Sequence, residues 1–217
     1  RIAVRHFGAV AHEQVLGPEH VAEAIPALAA GCDEPLANSS AVPAWFCARL
    51  AREAGFDCLL AGDGGDELFG GNPHYTRQAV FERWFLLPGW LRAGLERTLL
   101  PLVPAGAPFP LGKLRSYVEQ ARIPLPLRLK SWDYLFRQDR GSVFTPGFLA
   151  RVDVERPADL MRAVFAEPPA ADTLDRMLYF DWEFVLADND LVKVSTACAL
   201  AGMDVRYPML DQGLVDL

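Results

Sequence analysis

The sequence predicts a helix-rich α/β domain built on a parallel sheet, and three observations carry that reading. Residues up to Gly62 alternate strand-like and helix-like segments, the order that lays strands parallel with helices as crossovers. From residue 76 onward helical periodicity dominates. Between these regions lies LLAGDGGDELFGGNPHY, residues 59–75, where glycines and carboxylates directly follow an apolar run. In open α/β sheets ligands bind at that point, outside the carboxyl ends of the strands.

The elements follow in order. AVAHEQVL, 9–16, partly alternates and reads as a strand. PEHVAEAIPALAA, 18–30, reads as a helix opened by Pro18 and Glu19, with Pro26 expected to disturb it. GCDEPLANSS, 31–40, reads as a loop in which Asp33 and Glu34 cap a turn or contact a ligand, and Ser39 or Ser40 supplies an N-cap. AVPAWFCARLAREAG, 41–55, is a helix closed by Gly55, and FDCLLAG, 56–62, a short apolar strand. Helical spacing recurs over 76–100 and 111–136, with the proline-bearing 99–112 as a connector, and again over 157–167.

Residues 171–188 form a longer helix whose Tyr179, Phe180, Trp182 and Phe184 cover more than one face and so belong in a core. DLVKVSTACALAG, 190–202, ends at Gly202 as a helix should, and MDVRYPMLD, 203–211, is extended around Pro208. The expected division is a sheet part, 1–72, and a mainly helical part, 73–217.

Bulk properties narrow the function. The chain has 217 residues, 51% hydrophobic and 23% charged, which suits one large domain or a domain with a small lobe. A net charge of −7 argues against a broad nucleic-acid-binding face. No apolar run reaches transmembrane length. The N-terminus RIAVRHFGAV lacks the apolar core of a secretory signal and has no initiator Met, so the chain reads as a piece of something longer. Cys32, Cys47, Cys58 and Cys198 show no C-x-x-C spacing and read as buried thiols of a reducing compartment, the cytoplasm.

In the acidic loop, Gly62, Gly64 and Gly65 let the backbone approach a ligand and turn N–H groups toward phosphate. Asp63, Asp66 and Glu67 add hard oxygen ligands suited to Mg²⁺ bridging phosphates. The dinucleotide, Walker A, EF-hand and nucleophile-elbow patterns all fail on this stretch. The competing reading is a surface turn in which Asp63 or Asp66 caps a short helix.

AGDGGDELFGG, 61–71, resembles the S-G-x-G-x-D-E-L-F-G-G motif of the asparagine synthetase family, in its ATP-using synthetase domain. Two further stretches agree in the same order. DEPLANSSAVPAWFCARLARE, 33–53, is similar to the family's D-E-P-x-(A)-D-x-S-x-x-P segment with its helix. LADNDLVKVSTACALAGMDVRYPMLD, 186–211, is similar to its L-P-D…K-x-D-R…E-x-R-x-P-F-L-D segment.

The resemblance implies a nucleotide-binding fold of the pyrophosphatase-loop, adenine nucleotide α-hydrolase-like type. It implies ATP and Mg²⁺ as cofactors, adenylation of a small-molecule carboxylate, and attack by a nitrogen nucleophile to give an amide. Ammonia would come from an N-terminal glutaminase domain in the full-length protein, and the family allows a homodimer. By position, Asp66 matches the Mg²⁺-binding aspartate. Asp63 matches a variable position involved in proton handling near the nucleophile. Ala61 and Gly62 match the S-G pair that contacts ATP, with Gly64 the next glycine of the motif. Asp204 matches the glutamate of E-x-R-x-P, which in some members orients a catalytic dyad.

This chain departs from the family in several places. The S-G-G-x-D-S pyrophosphate loop is not among its residues and is expected upstream. Ser195 and Thr196 stand where K-x-D-R has Asp and Arg, and Ala61 replaces Ser. A divergent member follows, with a lactam- or peptide-forming ligase or a non-catalytic remnant as alternatives. Lys193 reads either as a catalytic group lining the site or as an ion-pair partner of Asp188 or Asp190. Arg206 and Asp211 read as a buried ion pair. The four histidines read as surface residues, with His74 singled out because it follows the glycine loop.

Overall fold

A computed structural model describes residues 2–34, 36, 38–131, 133–169 and 172–216. They fall into two compact units, one comprising 1–70 with 181–217 and the other 71–180. The expected boundary near residue 72 is thus joined by a second one near 180. The reason lies in strand pairing, because β1 (Cys58–Leu60) runs parallel to β2 (Asp204–Arg206), with Cys58 opposite Asp204, Leu59 opposite Val205 and Leu60 opposite Arg206.

In the first unit the helix Pro18–Gly31 starts with proline at its first turn, and the Gly17 N–H donates to His20 Nδ1 at 2.8 Å. His20 is therefore a half-buried capping group and not a surface histidine. Pro26 lies inside this helix without ending it. Both Pro26 and Ala22, whose carbonyl loses its helical donor, face solvent, so water replaces the missing bond. The opposite face carries Ala24 and Leu28 into a cluster with Ala41, Trp45, Phe46 and Ala197. Burying each large apolar side chain there stabilises the unit by about 1.5–3 kcal/mol.

The next helix, Ala41–Glu53, gives way to Gly55 at φ +87°, as expected of its closing glycine. Ser40 precedes it but does not cap it, because its hydroxyl donates to Asn38 Oδ1 at 2.6 Å. Ala41–Glu53 packs on the helix Val192–Leu200, with Ala48, Cys198 and Met203 buried between them and Leu59 and Val205 of the strands. Small residues at this crossing let the backbones approach closely. Residues 9–16 are not a strand: all but Leu16 are exposed, and their weak alternation meets no partner strand.

The second unit is helical. The expected 76–100 helix is divided into Pro73–Glu82, a tight turn at Arg83–Leu86 and Gly89–Leu102, with Pro88 at the break. The expected 111–136 helix stops at Ala121, ahead of Pro124 and Pro126. Trp84, Val118 and Ala121 form its core. The expected helix at 157–167 is present as Arg156–Ala166. Thr173–Asp181 is followed in sequence by a π-helical segment, Trp182–Leu191, whose hydrogen bonds run i to i+5.

Candidate active site

The site is built where the two strands end together. Ala61, the first residue beyond β1, donates its N–H to the Arg206 carbonyl at 2.9 Å. The chain then reverses through Gly64 at φ +93°, a left-handed conformation that favours glycine. A Cβ on Gly64 would lie 2.2 Å from Leu210 Cδ2, so its missing side chain also admits the segment after β2. A Cβ on Gly62 would meet open space. The helix Gly65–Phe69 follows, with Asp66 and Glu67 in its first turn.

Gly62, Asp63, Gly64, Gly65, Asp66, Glu67 and Asp190 line a cavity of about 370 Å³. That volume lies within the range of small-ligand sites. Four of its seven lining residues are carboxylates. Asp190 arrives from the π-helical segment and is paired with Lys193, whose Nζ lies 2.6 Å from Asp190 Oδ1. Lys193 is well shielded, with 11% of its side chain exposed. Asn189 Nδ2 also donates to Asp190 Oδ1, at 3.3 Å, and Asn38 Nδ2 donates to Asn189 Oδ1 at 3.4 Å.

Burial pushes the Glu67 carboxyl above its ordinary range, and Asp66, Asp181 and Asp190 push it the same way, against a backbone hydrogen bond that lowers it. Negative charge is therefore concentrated beyond what Lys193 offsets. Beside the cavity, Tyr207 follows β2, and its hydroxyl lies 2.8 Å from Ser195 Oγ and 3.4 Å from the Leu191 carbonyl oxygen. Burial raises the Tyr207 phenol; the Ser195 hydrogen bond opposes this, while Asp63 and Cys198 add to it.

Of the sequence-derived candidates, Gly62, Asp63, Gly64 and Asp66 come together in the cavity wall. Ala61 stands at the strand end beside them, and Lys193 reaches the cavity through Asp190. Asp204 does not line it: the strand register sets this exposed residue opposite Cys58, at the far end of the sheet from the glycine loop. Arg206 and Asp211 are both exposed, and Asp211 caps the Gln212–Val215 helix by accepting from the Gly213 N–H at 2.9 Å. Asp33 and Glu34 lie on a separate, largely apolar cavity of about 990 Å³.

The sequence left Asp190 as no more than a partner for Lys193 and gave Tyr207 no role. Asp190 joins the cavity wall and Tyr207 meets Ser195 and Leu191 only in the folded chain, and nothing local in sequence marks either.

A divalent cation fits the chemistry of this donor set, hard carboxylates with raised Glu67. Among the described residues, however, no group of three or more His, Cys, Asp or Glu side chains is arranged to hold a metal alone. Further oxygen ligands, such as phosphates, would have to complete it. No described helix is long and apolar enough to cross a membrane.

The family model described as asparagine synthase matches residues 1–217. A Mycobacterium tuberculosis protein provisionally named asparagine synthetase [glutamine-hydrolyzing] is 29% identical over 212 residues, covering 94% of this chain and 31% of that protein. Asparagine synthetase [glutamine-hydrolyzing] 1 of Bacillus subtilis is 24% identical over 205 residues, covering 94% of this chain and 31% of its own length. The chain thus spans about a third of the length of these relatives. No solved structure matches it significantly.

Proposed function

The chain belongs to the asparagine synthase family, which is ATP-dependent and has the adenine nucleotide α-hydrolase-like fold, and from that premise we propose that it is the ATP-binding part of an amide-forming ligase. The observation that carries this reading is the glycine-lined, carboxylate-rich cavity at the shared end of two parallel strands. A substrate carboxylate attacks the α-phosphate of ATP, its acyl-adenylate forms and pyrophosphate leaves. A nitrogen nucleophile then attacks the acyl carbon, and AMP departs as the amide forms.

Such chemistry depends on positioning and charge stabilisation more than on covalent work by side chains. The Ala61–Gly62 backbone runs along the nucleotide. Asp66, with Glu67 and Asp190 near it, would hold Mg²⁺. When bound, Mg²⁺ would neutralise charge on the phosphates. Asp63 takes the proton that the nitrogen nucleophile sheds, and Lys193 keeps Asp190 oriented into the cavity. Asp204, opposite Cys58 at the other end of the strand pair, is given no part in that step. In the longer protein the nitrogen is ammonia released from glutamine by a separate domain. Ser195 and Thr196, standing where the family has Asp and Arg, favour as second reading a non-catalytic member that keeps the fold without the chemistry.

The test uses the full-length protein with ATP, Mg²⁺ and candidate carboxylates. Carboxylate-dependent release of AMP and pyrophosphate in equal amounts is expected, reduced at least about 100-fold by Asp66→Asn, the scale of losing one charge-stabilising group. ATP hydrolysis to ADP, or Asp66→Asn at wild-type rate, would overturn the reading. The 217 residues alone hold no S-G-G-x-D-S loop. They are expected to show no ATP–pyrophosphate exchange, and exchange by the isolated chain would refute that point.

A further inference from the structure

We infer that Tyr207 is a positioning residue for the acidic cavity, acting through the junction between the π-helical segment and the helix that follows it. Its hydroxyl touches both sides of that junction. Ser195 Oγ, 2.8 Å away, belongs to the helix Val192–Leu200, and the Leu191 carbonyl, 3.4 Å away, closes the π-helical segment Trp182–Leu191. Asp190 immediately precedes Leu191, and Lys193 lies two residues before Ser195. One phenol therefore holds the backbone on which the Asp190–Lys193 pair is mounted.

Tyr207 is itself fixed at its other end. It follows Arg206, whose carbonyl accepts from Ala61 at 2.9 Å, and Leu210 further along packs on the Gly64 backbone. The phenol thus connects the strand end that carries the glycine loop to the helix that carries Asp190. A π-helical turn needs such an anchor. It is a rare geometry, and contacts from outside the helix help to hold it. The Ser195 bond joins two uncharged hydroxyls. The positioning stands on these contacts alone; only the purpose of the cavity rests on the ATP reading above.

Reductive methylation at constant pH, quantified by mass spectrometry, tests this. In the full-length protein the peptide carrying Lys193 is followed, with Lys113 and Lys130, the other two lysines of these 217 residues, as internal controls. Asp190→Asn sets the labelling rate of an unpaired Lys193. Tyr207→Phe and Ser195→Ala are each expected to label Lys193 about fivefold faster than wild type, the scale of one net hydrogen bond. Lys113 should keep its rate, and Ser195→Thr, which restores the hydroxyl, should return Lys193 to the wild-type rate. Wild-type labelling of Lys193 in Tyr207→Phe would overturn the inference, as would equal acceleration at Lys113, which would mean general loosening. Failure of the ATP reading would show separately, as a protein that releases no pyrophosphate while this labelling pattern holds.

Discussion

Arg128 of the helical unit and the acidic cavity of the sheet unit present charge in opposite ways. In the helical unit Arg128 is fully buried, and each of its nitrogens is answered. Nε donates to Gln78 Oε1 at 2.6 Å, Nη1 to the Ile123 carbonyl at 3.1 Å, and Nη2 pairs with Glu82. Its guanidinium also lies 5.5 Å from the Phe81 ring centre. In the sheet unit, four carboxylates meet at one cavity with a single lysine close by, and burial leaves one of them hard to ionise. A satisfied buried charge fixes a structure. An unsatisfied cluster costs stability and persists where a ligand's charge offsets it. The contrast separates a charge that holds shape from a cluster proposed to meet a ligand.

The sharpest way to break that contrast is Arg128→Met. It strands Gln78, Glu82 and two main-chain carbonyls, and a loss of about 4 kcal/mol is expected, measured by chemical denaturation. A loss under about 1 kcal/mol would mean that the network contributes little. Gly64→Ala comes next, at about 3 kcal/mol, because it combines an unfavourable positive φ with a clash against Leu210. Gly62→Ala, facing open space, should stay within about 0.5 kcal/mol of wild type. Equal effects at the two glycines would show that the loop does not pack on Leu210 as described.

The smallest effect has the opposite sign. The folded protein binds the Glu67 proton more tightly than the unfolded chain, so that contribution to stability is complete in acid and lost as pH rises through the raised folded value. At pH 7 the ionised side chain weighs against folding. Glu67→Gln is therefore expected to melt slightly higher than wild type at pH 7, with the gap closing near pH 4, about the ordinary glutamate value. A variant that melts lower at pH 7 would remove Glu67 from the strained cluster.

The fold was legible in sequence where signals were local. Gly55 and Gly202 end helices as read, and the apolar CLL run is a strand. The errors arose where neighbours far along the chain decide. The alternation of 9–16 finds no partner, and Pro26 is tolerated because its helix face is wet. The site was half legible in the same sense. Asp63 and Asp66 stand three positions apart in one short loop and share the cavity, and the Lys193 ion pair forms with Asp190, one of its two expected partners. Asp204 matches a motif by position, and such a match says nothing about which end of a strand a residue occupies. Register decides that, and it places Asp204 opposite Cys58.

The ten residues Trp182–Leu191 also set a condition on how this family can change length. A π-helical stretch is what one inserted residue leaves behind when both flanking helices keep their own packing. Deleting one residue there would restore ordinary winding with both flanking helices in place, and would turn only residues inside the segment, by up to roughly 100° about the helix axis, the step of one α-helical residue. Asp190 would then point elsewhere while Lys193 and Ser195 kept their places. A homologue shorter by one position in this segment should be counted as having a differently wired active centre, even if each named motif reads the same.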